Sequence, residues 1–370
     1  MAASGDFRVK VFYTWGQAQG KVIDKDFGIE REWDIDLLSG YDHSFVQNTS
    51  SEPGSHHYNG IINPSLISEV KAFNPDKIIV YGWKFKSHLQ LIRHFKGKIP
   101  LYFRGDSTLL DDAAGFSIKK SLRRLLLQWV YGHVDFALSP GTASDKYFLN
   151  AGLSAKQIIR APHAIDNERF SNQIDGNLSF REESLTWRRE LSISDHTCIF
   201  LYAGKLQGLK NPELLIRSFL RLKSNYKDVF LVMVGNGELE NQLKEKYSNE
   251  IDFQKYIQFL PFQNQSMMPV IYRLGDVYVL PSNSETWGLA INEAMACGRP
   301  VIASDKCGAA ADMIKENENG FIFKAGDEND LYNCMKKMVN ADLVSMGASA
   351  QETVQHFSYA SFVDALKRLD

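Results

Sequence analysis

The sequence predicts an α/β protein with two doubly wound, Rossmann-like domains, each built on a parallel sheet. Short apolar runs alternate with longer amphipathic stretches in both halves of the chain, a pattern typical of parallel strands covered by helices on both faces. The alternation stops in one polar, charged segment, residues 167–196, and then restarts. A chain of 370 residues is long enough for two domains of ordinary size.

The apolar runs define the expected strands. In the first half they are Val9–Tyr13, Lys77–Tyr81, Pro100–Phe103, Phe136–Ser139 and Gln157–Arg160. In the second half they are Thr197–Ala203, Val229–Gly235, Ile257–Leu260, Val277–Pro281, Pro300–Ser304 and Gly320–Phe323. We therefore expect an N-terminal domain over residues 1–166, a connector over 167–196, a C-terminal domain over 197–350 and a closing helical segment over 351–370. Two such domains facing each other would place a ligand site in the cleft between them, at the carboxyl ends of their strands.

The composition is that of an ordinary globular protein, with 44% hydrophobic and 23% charged residues. The four cysteines form no C-x-x-C pair, which favours free thiols in a reducing compartment over disulfides or a zinc site. The N-terminus has no apolar signal core, and no apolar stretch approaches the length of a membrane span. We expect a cytoplasmic protein, with a place at the inner face of a membrane as an open alternative.

One region of the first half is strongly basic. Residues 77–124 contain 11 Lys and Arg against 3 Asp and Glu. Within and beyond this region, residues 119–130 combine basic and apolar clusters at near-helical spacing. Such a surface could make peripheral contact with anionic lipid headgroups, or the segment could be a core-facing helix with a solvated charged face. Nucleic-acid binding is not expected, because no recognition motif accompanies the charge.

The segment from Val277 to Asp305 is the most informative about chemistry. A buried strand leads through a loop into a helix predicted over residues 289–297. The unpaired amides at the start of this helix, together with the helix dipole, attract a phosphate, and Gly288 allows close approach to the backbone. Glu285 and Glu293 flank this position, where carboxylates are suited to accept hydrogen bonds from sugar hydroxyls. The alternative is a solvated acidic pair on a surface helix.

Residues 285–303, ETWGLAINEAMACGRPVIA, resemble the E-x7-E signature of retaining GT-B glycosyltransferases of family 4. The resemblance implies the GT-B fold and transfer with retention of the anomeric configuration. It also implies that Glu285 approaches the donor sugar and that Glu293 holds the ribose hydroxyls. The backbone that meets the diphosphate or the donor sugar would be that of Thr286, Trp287, Gly288 and Leu289.

The loop after the strand at residues 197–203 resembles the family's strand-end loop with two basic residues. It contains Gly204, Lys205 and Lys210, and Lys205 stands where the family usually has Arg. Two cations at the carboxyl end of a strand can neutralise a diphosphate leaving group. Two exposed lysines in a flexible loop are the alternative.

A Gly-x-Gly turn follows the next strand. Gly235 and Gly237 lie where the family has a turn near the nucleotide, and Leu260 ends the strand that the family places beside the base. Glu240 occupies the position of the third glycine of a dinucleotide fingerprint, so NAD and FAD are excluded.

In the first half the resemblance holds only in outline. Arg104 and Asp106 follow a predicted strand at the place where many relatives have a His-containing turn close to the reacting sugar. Either residue could touch the donor sugar or the acceptor, and a structural Arg–Asp pair is the alternative. Gly16 lies in a loop, residues 15–20, where the family often has a Gly-rich loop near the diphosphate.

The sequence does not favour a metal or another cofactor. Asp34 and Asp36 form a D-x-D triplet of the kind that binds metal in single-domain glycosyltransferases, but no clear strand leads into it. The family resemblance implies that no bound metal is needed.

These observations predict an enzyme that moves a sugar from a nucleotide diphosphate donor to a hydroxyl of a glycan or lipid-linked glycan. A UDP donor is favoured over a GDP donor. Lys205, Lys210 and Glu285 would act on the donor and its leaving group. Two rivals stay open, namely a sugar-nucleotide epimerase of the same fold and a non-catalytic subunit that binds nucleotide sugars. The Glu285/Glu293 pair together with Lys210 argues against the second rival.

Overall fold

The computed structural model describes residues 5–16, 22–24, 29–112, 117–171 and 180–368. The chain divides into two compact units. Unit 1 comprises residues 1–22, 36–162 and 363–370, and unit 2 comprises residues 23–35 and 163–362. In the part of the chain that is described, no helix combines the length and the apolar character that crossing a membrane requires.

The elements follow one another in a largely alternating order. The strands are β1 (Lys10–Tyr13), β2 (Val22–Asp24), β3 (Ile29–Arg31), β4 (Asp42–Phe45), β5 (Ile78–Tyr81), β6 (Leu101–Arg104), β7 (Phe136–Ser139), β8 (Ile158–Arg160), β9 (Cys198–Ala203), β10 (Val229–Val234), β11 (Ile257–Leu260), β12 (Val277–Leu280), β13 (Val301–Ser304) and β14 (Gly320–Phe323). The helices are α1 (Leu66–Phe73), α2 (Lys86–Phe95), α3 (Ile118–Tyr131), α4 (Thr142–Asn150), α5 (Asn167–Ser171), α6 (Phe180–Glu190), α7 (Pro212–Lys223), α8 (Glu240–Lys246), α9 (Ile251–Tyr256), α10 (Met268–Leu274), α11 (Leu289–Ala296), α12 (Ala310–Met313), α13 (Glu328–Val339), α14 (Leu343–Gln355) and α15 (Tyr359–Lys367).

Unit 1 contains a parallel sheet in the sequential order β5–β6–β7–β8, and a parallel pair of β1 with β4. Its core takes one face of each covering helix. Phe95 of α2, Tyr131 of α3 and Phe148 of α4 are each at most 2% exposed and belong to one cluster with the strand residues Phe103 and Ala137. Burial of these large side chains is the main source of stability for this unit.

Unit 2 contains a six-stranded parallel sheet in the order β11–β10–β9–β12–β13–β14. Alternate residues of its central strand point to opposite faces, as the pleat requires. Ile199 and Leu201 of β9 pack in one buried cluster, and Phe200 and Tyr202 pack in the other. Both faces are therefore covered, which explains the continuous apolar runs that predicted these strands.

Each strand predicted from the sequence is present, and its ends differ from the prediction by at most one residue. Strands β2, β3 and β4 were not predicted. Strand β4 consists of Asp-His-Ser-Phe and pairs in register with β1. Its residues are mostly polar, so they do not form the apolar run that predicts a strand. The strand is stabilised by pairing with its neighbour rather than by its own apolar content.

The division between the units differs from the predicted boundaries. It lies between residues 162 and 163 rather than after 166, and the segment 167–196, expected as a connector, belongs to unit 2 and contains α5 and α6. Helix α6 is anchored by Arg188, which donates to the Asp276 carboxylate at 2.7 Å and to the Leu274 carbonyl at 3.1 Å. A helix held by a buried guanidinium needs fewer apolar residues, so its composition resembled that of a linker. The closing helical segment expected over residues 351–370 contains the end of α14 and the whole of α15.

Candidate active site

The strand order of unit 2 reverses between β9 and β12. From β9 the chain moves outward to β10 and β11, then returns to place β12 beside β9, and moves outward again to β13 and β14. The loops that follow β9 and β12 therefore lie at the topological switch point, at the carboxyl ends of the strands, where doubly wound sheets bind their ligands. The predicted lysine loop follows β9 and the predicted glutamate loop follows β12, so the topology alone brings them together.

Lys210 and Glu285 form an ion pair at this position. The Lys210 ammonium donates to the Glu285 carboxylate across a separation of 75 residues in the chain. The two side chains are 25% and 17% exposed, so both can still be reached from solvent. The loops that carry them are also joined, because the Asn283 amide N–H donates to the Leu209 carbonyl at 2.8 Å. Two residues predicted to act on the donor are thus in direct contact.

The start of α11 lies next to this pair. Gly288 precedes the helix with a φ of 95°, a left-handed conformation that glycine adopts without strain. A Cβ atom at this position would lie 3.1 Å from the Leu280 side chain and 3.3 Å from that of Glu285. The Ile291 N–H donates to the Gly288 carbonyl at 2.8 Å, so the helix begins here, and the first amides of a helix have no acceptor within it. Leu289, at the first helical position, is 43% exposed.

The Trp287 side chain anchors the loop between Glu285 and Gly288 in the core. The Trp287 ring is 2% exposed, and its Nε1 donates to Asn292 Oδ1 at 2.9 Å. Asn292 in turn donates to the His163 carbonyl at 3.1 Å, and the His163 ring packs against the indole with centroids 5.5 Å apart. The Trp287 side chain is therefore part of the core, and only its backbone can contribute to binding. Thr286 is exposed on the outer side of the loop.

Glu293 lies within α11 and is partly buried. The Tyr272 hydroxyl of α10 donates to its carboxylate at 2.6 Å. Burial raises the pKa of Glu293 above its usual value, and the bond from Tyr272 opposes that rise. Tyr272 was not singled out in the sequence, because a contact between two helices 21 residues apart leaves no local pattern.

The loops after β9, β10 and β11 are closely joined. The Gly204 N–H donates to the Val234 carbonyl and the Gly235 N–H to the Leu260 carbonyl, both at 3.0 Å. A Cβ atom at Gly235, whose φ is 125°, would clash with the Gly204 carbonyl oxygen, and one at Gly237 with the Leu206 carbonyl oxygen. The Gly-x-Gly turn thus allows these backbones to approach each other closely, which places Gly204, Gly235, Gly237 and Leu260 at one edge of the sheet.

Lys205 follows Gly204 in the same loop and is partly exposed. Its carbonyl accepts a hydrogen bond of 2.6 Å from the buried Tyr202 hydroxyl. The backbone of Lys205 is thereby fixed at the carboxyl end of β9, on the same edge as the Lys210–Glu285 pair.

Arg104 lies in unit 1 and is only 4% exposed. Its guanidinium donates to the Leu138 carbonyl at 3.1 Å, to the Pro162 carbonyl at 3.2 Å and to the Ala161 carbonyl. Burial lowers the pKa of Arg104, and the Asp106 carboxylate opposes that shift. These contacts join the end of β6 to the end of β7 and to the segment after β8, which favours the structural interpretation of Arg104. Asp106 is partly exposed in the loop that follows.

The carboxyl end of β1 carries a contact that the sequence did not reveal. The Thr14 Oγ1 and His88 Nε2 atoms are 2.8 Å apart, and His88 Nδ1 lies 3.1 Å from the Gly82 carbonyl. Burial lowers the pKa of His88 and so favours the neutral ring. In that form Nδ1 donates to the Gly82 carbonyl and Nε2 accepts from Thr14. Gly16 is exposed near this contact in the chain, whereas residues 17–20 of the predicted loop lie outside the described residues.

The two aspartates of the D-x-D triplet have structural partners. Asp34 accepts hydrogen bonds from the Ser266 amide, at 3.1 Å, and from the Ser266 hydroxyl. Asp36 accepts from the amides of Leu38 and Ser39 at 2.9 and 3.0 Å. The Asp36 carboxylate therefore stabilises the backbone that follows it, whereas Asp34 binds a segment 232 residues away in the chain.

Comparison with known sequences points to sugar transfer. The family of glycosyl transferases group 1 matches residues 183–353, all of them in unit 2. A D-inositol 3-phosphate glycosyltransferase of Corynebacterium jeikeium is 28% identical over 267 residues, which cover 70% of this chain and 62% of that protein. Another, from Mycolicibacterium smegmatis, is 24% identical over 226 residues, covering 60% and 52%. The chain thus spans less than two thirds of the length of these relatives.

Solved structures agree with this similarity. Anabaena HepE in complex with UDP and glucose aligns with a TM-score of 0.64 at 18% identity, covering 89% of this chain and 86% of that one. Sucrose-phosphate synthase from Thermosynechococcus elongatus aligns with a TM-score of 0.69 at 18% identity, covering 99% and 89%. The chain has the GT-B fold. This fold confirms the fold class predicted from the sequence, and the family match and the names of the relatives identify glycosyltransferases as the proteins that this chain resembles.

Proposed function

We propose that this GT-B protein transfers a sugar from a nucleotide diphosphate sugar to a hydroxyl acceptor, with retention of the anomeric configuration. The observation that carries the proposal is the Lys210–Glu285 pair beside the start of α11, where the strand order of unit 2 reverses. A cation, a helix start and a carboxylate at one position suit a ligand that is anionic at one end and rich in hydroxyls at the other.

The diphosphate is the anionic end in this proposal. The backbone amides of residues 286–289 and the ammonium groups of Lys205 and Lys210 bind its oxygens. A diphosphate that approaches Lys210 competes with Glu285 for the ammonium. Release of the carboxylate frees it to accept hydrogen bonds from the donor sugar, so binding of the leaving group and of the sugar are coupled through one ion pair.

The nucleoside lies beside α11 in this proposal. Glu293 accepts hydrogen bonds from the ribose hydroxyls, and Leu260 with Gly235 and Gly237 lies beside the base. We favour uracil over guanine as the base, and the UDP complexes of HepE are consistent with this preference. Unit 2 thus holds the donor, and unit 1 binds the acceptor, with Asp106 as a candidate contact. Gly16 stays a candidate contact of the diphosphate, as the family resemblance implies.

The reaction proceeds on one face of the sugar. The acceptor oxygen forms a bond to the anomeric carbon while the bond from that carbon to the β-phosphate oxygen breaks, and the acceptor proton passes to the departing phosphate. The charge that develops on the phosphate is stabilised by Lys205, Lys210 and the helix start. No residue needs to become covalently attached, and no metal takes part, because the lysines and amides supply the positive potential.

The acceptor is a glycan or a lipid-linked glycan. A similar structure, the lipopolysaccharide outer core galactosyltransferase WaaB, acts on a lipid-linked glycan according to its name and aligns with a TM-score of 0.62 at 18% identity. This comparison supports the acceptor class but does not select the sugar or the linkage.

A panel of labelled UDP and GDP sugars, incubated with the protein with and without glycan and lipid-linked acceptors, tests the proposal. We expect transfer to one acceptor class, and slow release of free sugar from the matching donor without acceptor. Isomerised donor in place of transfer would identify an epimerase. Tight binding without turnover on any acceptor would identify a binding subunit, and either result would overturn the proposal.

A further inference from the structure

Helix α3 of unit 1 exposes a continuous apolar face. Its five exposed apolar side chains, spaced three or four residues apart, are Ile118 (72% exposed), Leu122 (62%), Leu125 (62%), Leu126 (49%) and Trp129 (45%). That spacing places them on one side of the helix. Monomeric soluble proteins rarely leave such a row uncovered, and a contiguous apolar patch usually marks a docking surface.

The same helix has a separate face for the core. Leu127, Val130 and Tyr131 are at most 5% exposed, and Leu127 and Tyr131 pack in the main cluster of unit 1. The exposed row lies on the opposite side of the helix from these residues. The apolar residues outside the core are therefore not needed to anchor α3, and they require another explanation.

Basic side chains border the exposed row along one side and continue around the helix. Lys119 borders the row, Arg123 lies farther round and pairs with Asp112 at 3.6 Å, and Arg124 lies toward the side of the core residues; all three are exposed. The helix sequence IKKSLRRLLLQWVY contains four basic residues and no acidic one. The Arg93 guanidinium of α2 lies 5.7 Å from the centroid of the Trp129 ring, so the positive flank extends onto the neighbouring helix.

From this arrangement we propose that α3 docks unit 1 on an anionic lipid surface. Leucines with a tryptophan at one end, bordered by lysine and arginine, are the composition of a helix that lies in the plane of a membrane interface. The apolar row enters the boundary between headgroups and acyl chains. The long basic side chains extend from its flanks to the phosphate groups. Charge complementarity favours an anionic lipid surface, because the helix combines its apolar row with four basic residues and no acidic one.

Cosedimentation with vesicles tests the proposal on the full chain, without any activity measurement. Phosphatidylcholine vesicles are compared with vesicles of phosphatidylcholine and phosphatidylglycerol in equal parts. We expect binding to the mixed vesicles that weakens as salt is raised, and far weaker binding to phosphatidylcholine alone. Equal binding to both vesicles, or binding to neither, would overturn the proposal.

Two double variants locate the surface. Leu122→Gln with Leu125→Gln removes apolar contact without adding charge, and we expect binding to fall by roughly tenfold or more. Lys119→Gln with Arg124→Gln removes two exposed positive charges from the helix, and we expect a loss of similar size on the anionic vesicles. Leu149→Gln is the matched control, because Leu149 is 47% exposed in α4 of the same unit and should bind as the unaltered protein does.

Circular dichroism and thermal unfolding show that each variant is folded, as expected for exposed positions. Normal vesicle binding by a folded leucine variant would overturn the assignment to α3. Self-association of the unaltered protein that the leucine variant abolishes, without vesicle binding, would instead identify the row as an interface between two copies of the chain and would also overturn the proposal.

Discussion

At the scale of single residues, the pairing of Lys210 with Glu285 joins two loops that are far apart in the chain. We expect Lys210→Ala to lower turnover by about 100- to 1,000-fold, because a preorganised cation on the leaving group is lost. The change in unfolding free energy should be small, because the pair is partly exposed and such pairs contribute little. Steady-state kinetics and thermal unfolding of the same variant provide both measurements.

A matched control for Lys210→Ala is Lys246→Ala. Lys246 also pairs with a glutamate of unit 2, Glu213, at 2.6 Å, but it lies in α8 and not in the loops that follow β9 and β12. It should leave turnover unchanged. Near-normal rates for Lys210→Ala would remove this lysine from the mechanism.

Glu293 should show a conflict between stability and function. Its folded-state pKa is raised above the usual 4.5 by burial. The stability that the protonated carboxyl contributes is therefore fully present below the unfolded-state pKa and is lost as pH rises through the folded-state pKa. At pH 7 the ionised carboxylate destabilises the fold, so Glu293→Gln should raise the Tm there, and the difference should vanish near about pH 4.

The same Glu293→Gln variant should bind UDP roughly tenfold more weakly, because a charge-assisted hydrogen bond to ribose is lost. Thermal unfolding across pH and titration calorimetry provide the two results. Glu352→Gln, at an exposed position of α14, is the control and should change neither. A lower Tm at pH 7 for Glu293→Gln would contradict the account of its burial.

Some site residues could be predicted from the sequence and others could not. Glu285, Glu293 and Lys210 stand out in the sequence because each lies at a fixed distance from a strand end within a recognisable segment. The structure brings Lys210 and Glu285 into contact, and the roles of all three stay predictions. Tyr272 was missed because its partner lies on another helix. Arg104 was ambiguous in the sequence, because its three carbonyl acceptors come from distant turns and backbone acceptors have no sequence signature.

At the scale of elements, the start of α11 depends on the left-handed conformation of Gly288. Gly288→Ala should cost about 1 kcal/mol from the backbone conformation alone, and it also crowds the side chains of Leu280 and Glu285. We expect a lower Tm together with weaker UDP binding. Titration calorimetry and thermal unfolding measure the two effects.

Gly326→Ala is the control that distinguishes the effect of backbone strain on stability from an effect on UDP binding. Gly326 has a φ of 77°, and a Cβ atom there would meet nothing within 4 Å. This variant should lose stability for the same conformational reason but keep its affinity for UDP. Equal loss of affinity in both variants would mean that Gly288 has no specific role at the helix start.

Elements buried on both faces were the most predictable. The strands of the six-stranded sheet are continuous apolar runs, because helices cover both of their faces, so their ends were located to within one residue. Strand β4 and helix α6 were not identified, because β4 depends on pairing with β1 and α6 depends on the buried ion pair of Arg188 with Asp276. Both are set by tertiary contacts that a local pattern does not contain.

At the scale of the whole molecule, the order of the strands determines where the candidate site residues lie. Positive potential at the reversal point comes from lysines and helix amides, so we expect activity to survive metal removal. Turnover after treatment with EDTA, measured in metal-free buffer, should equal that of untreated protein. Loss of activity that Mg²⁺ or Mn²⁺ restores would show that the proposed set of positive groups is incomplete.

The two α/β units and their sheets could be predicted from the alternation of strands and helices, but the division between them could not be located correctly. It lies at residues 162 and 163, and unit 2 also includes residues 23–35 from the first half of the chain. Asp34 contributes to that arrangement through its bonds to Ser266. A contact across 232 residues follows from the folded topology rather than from any local composition.

The central claim is that a diphosphate binds where the start of α11 meets Lys210. Titration calorimetry of UDP, UMP and uridine against the unaltered protein and Lys210→Ala tests it most directly. We predict that affinity falls stepwise as each phosphate is removed, and that Lys210→Ala abolishes most of the gain from the β-phosphate while leaving uridine binding unchanged. Equal affinity for UDP and uridine in the unaltered protein would contradict the claim.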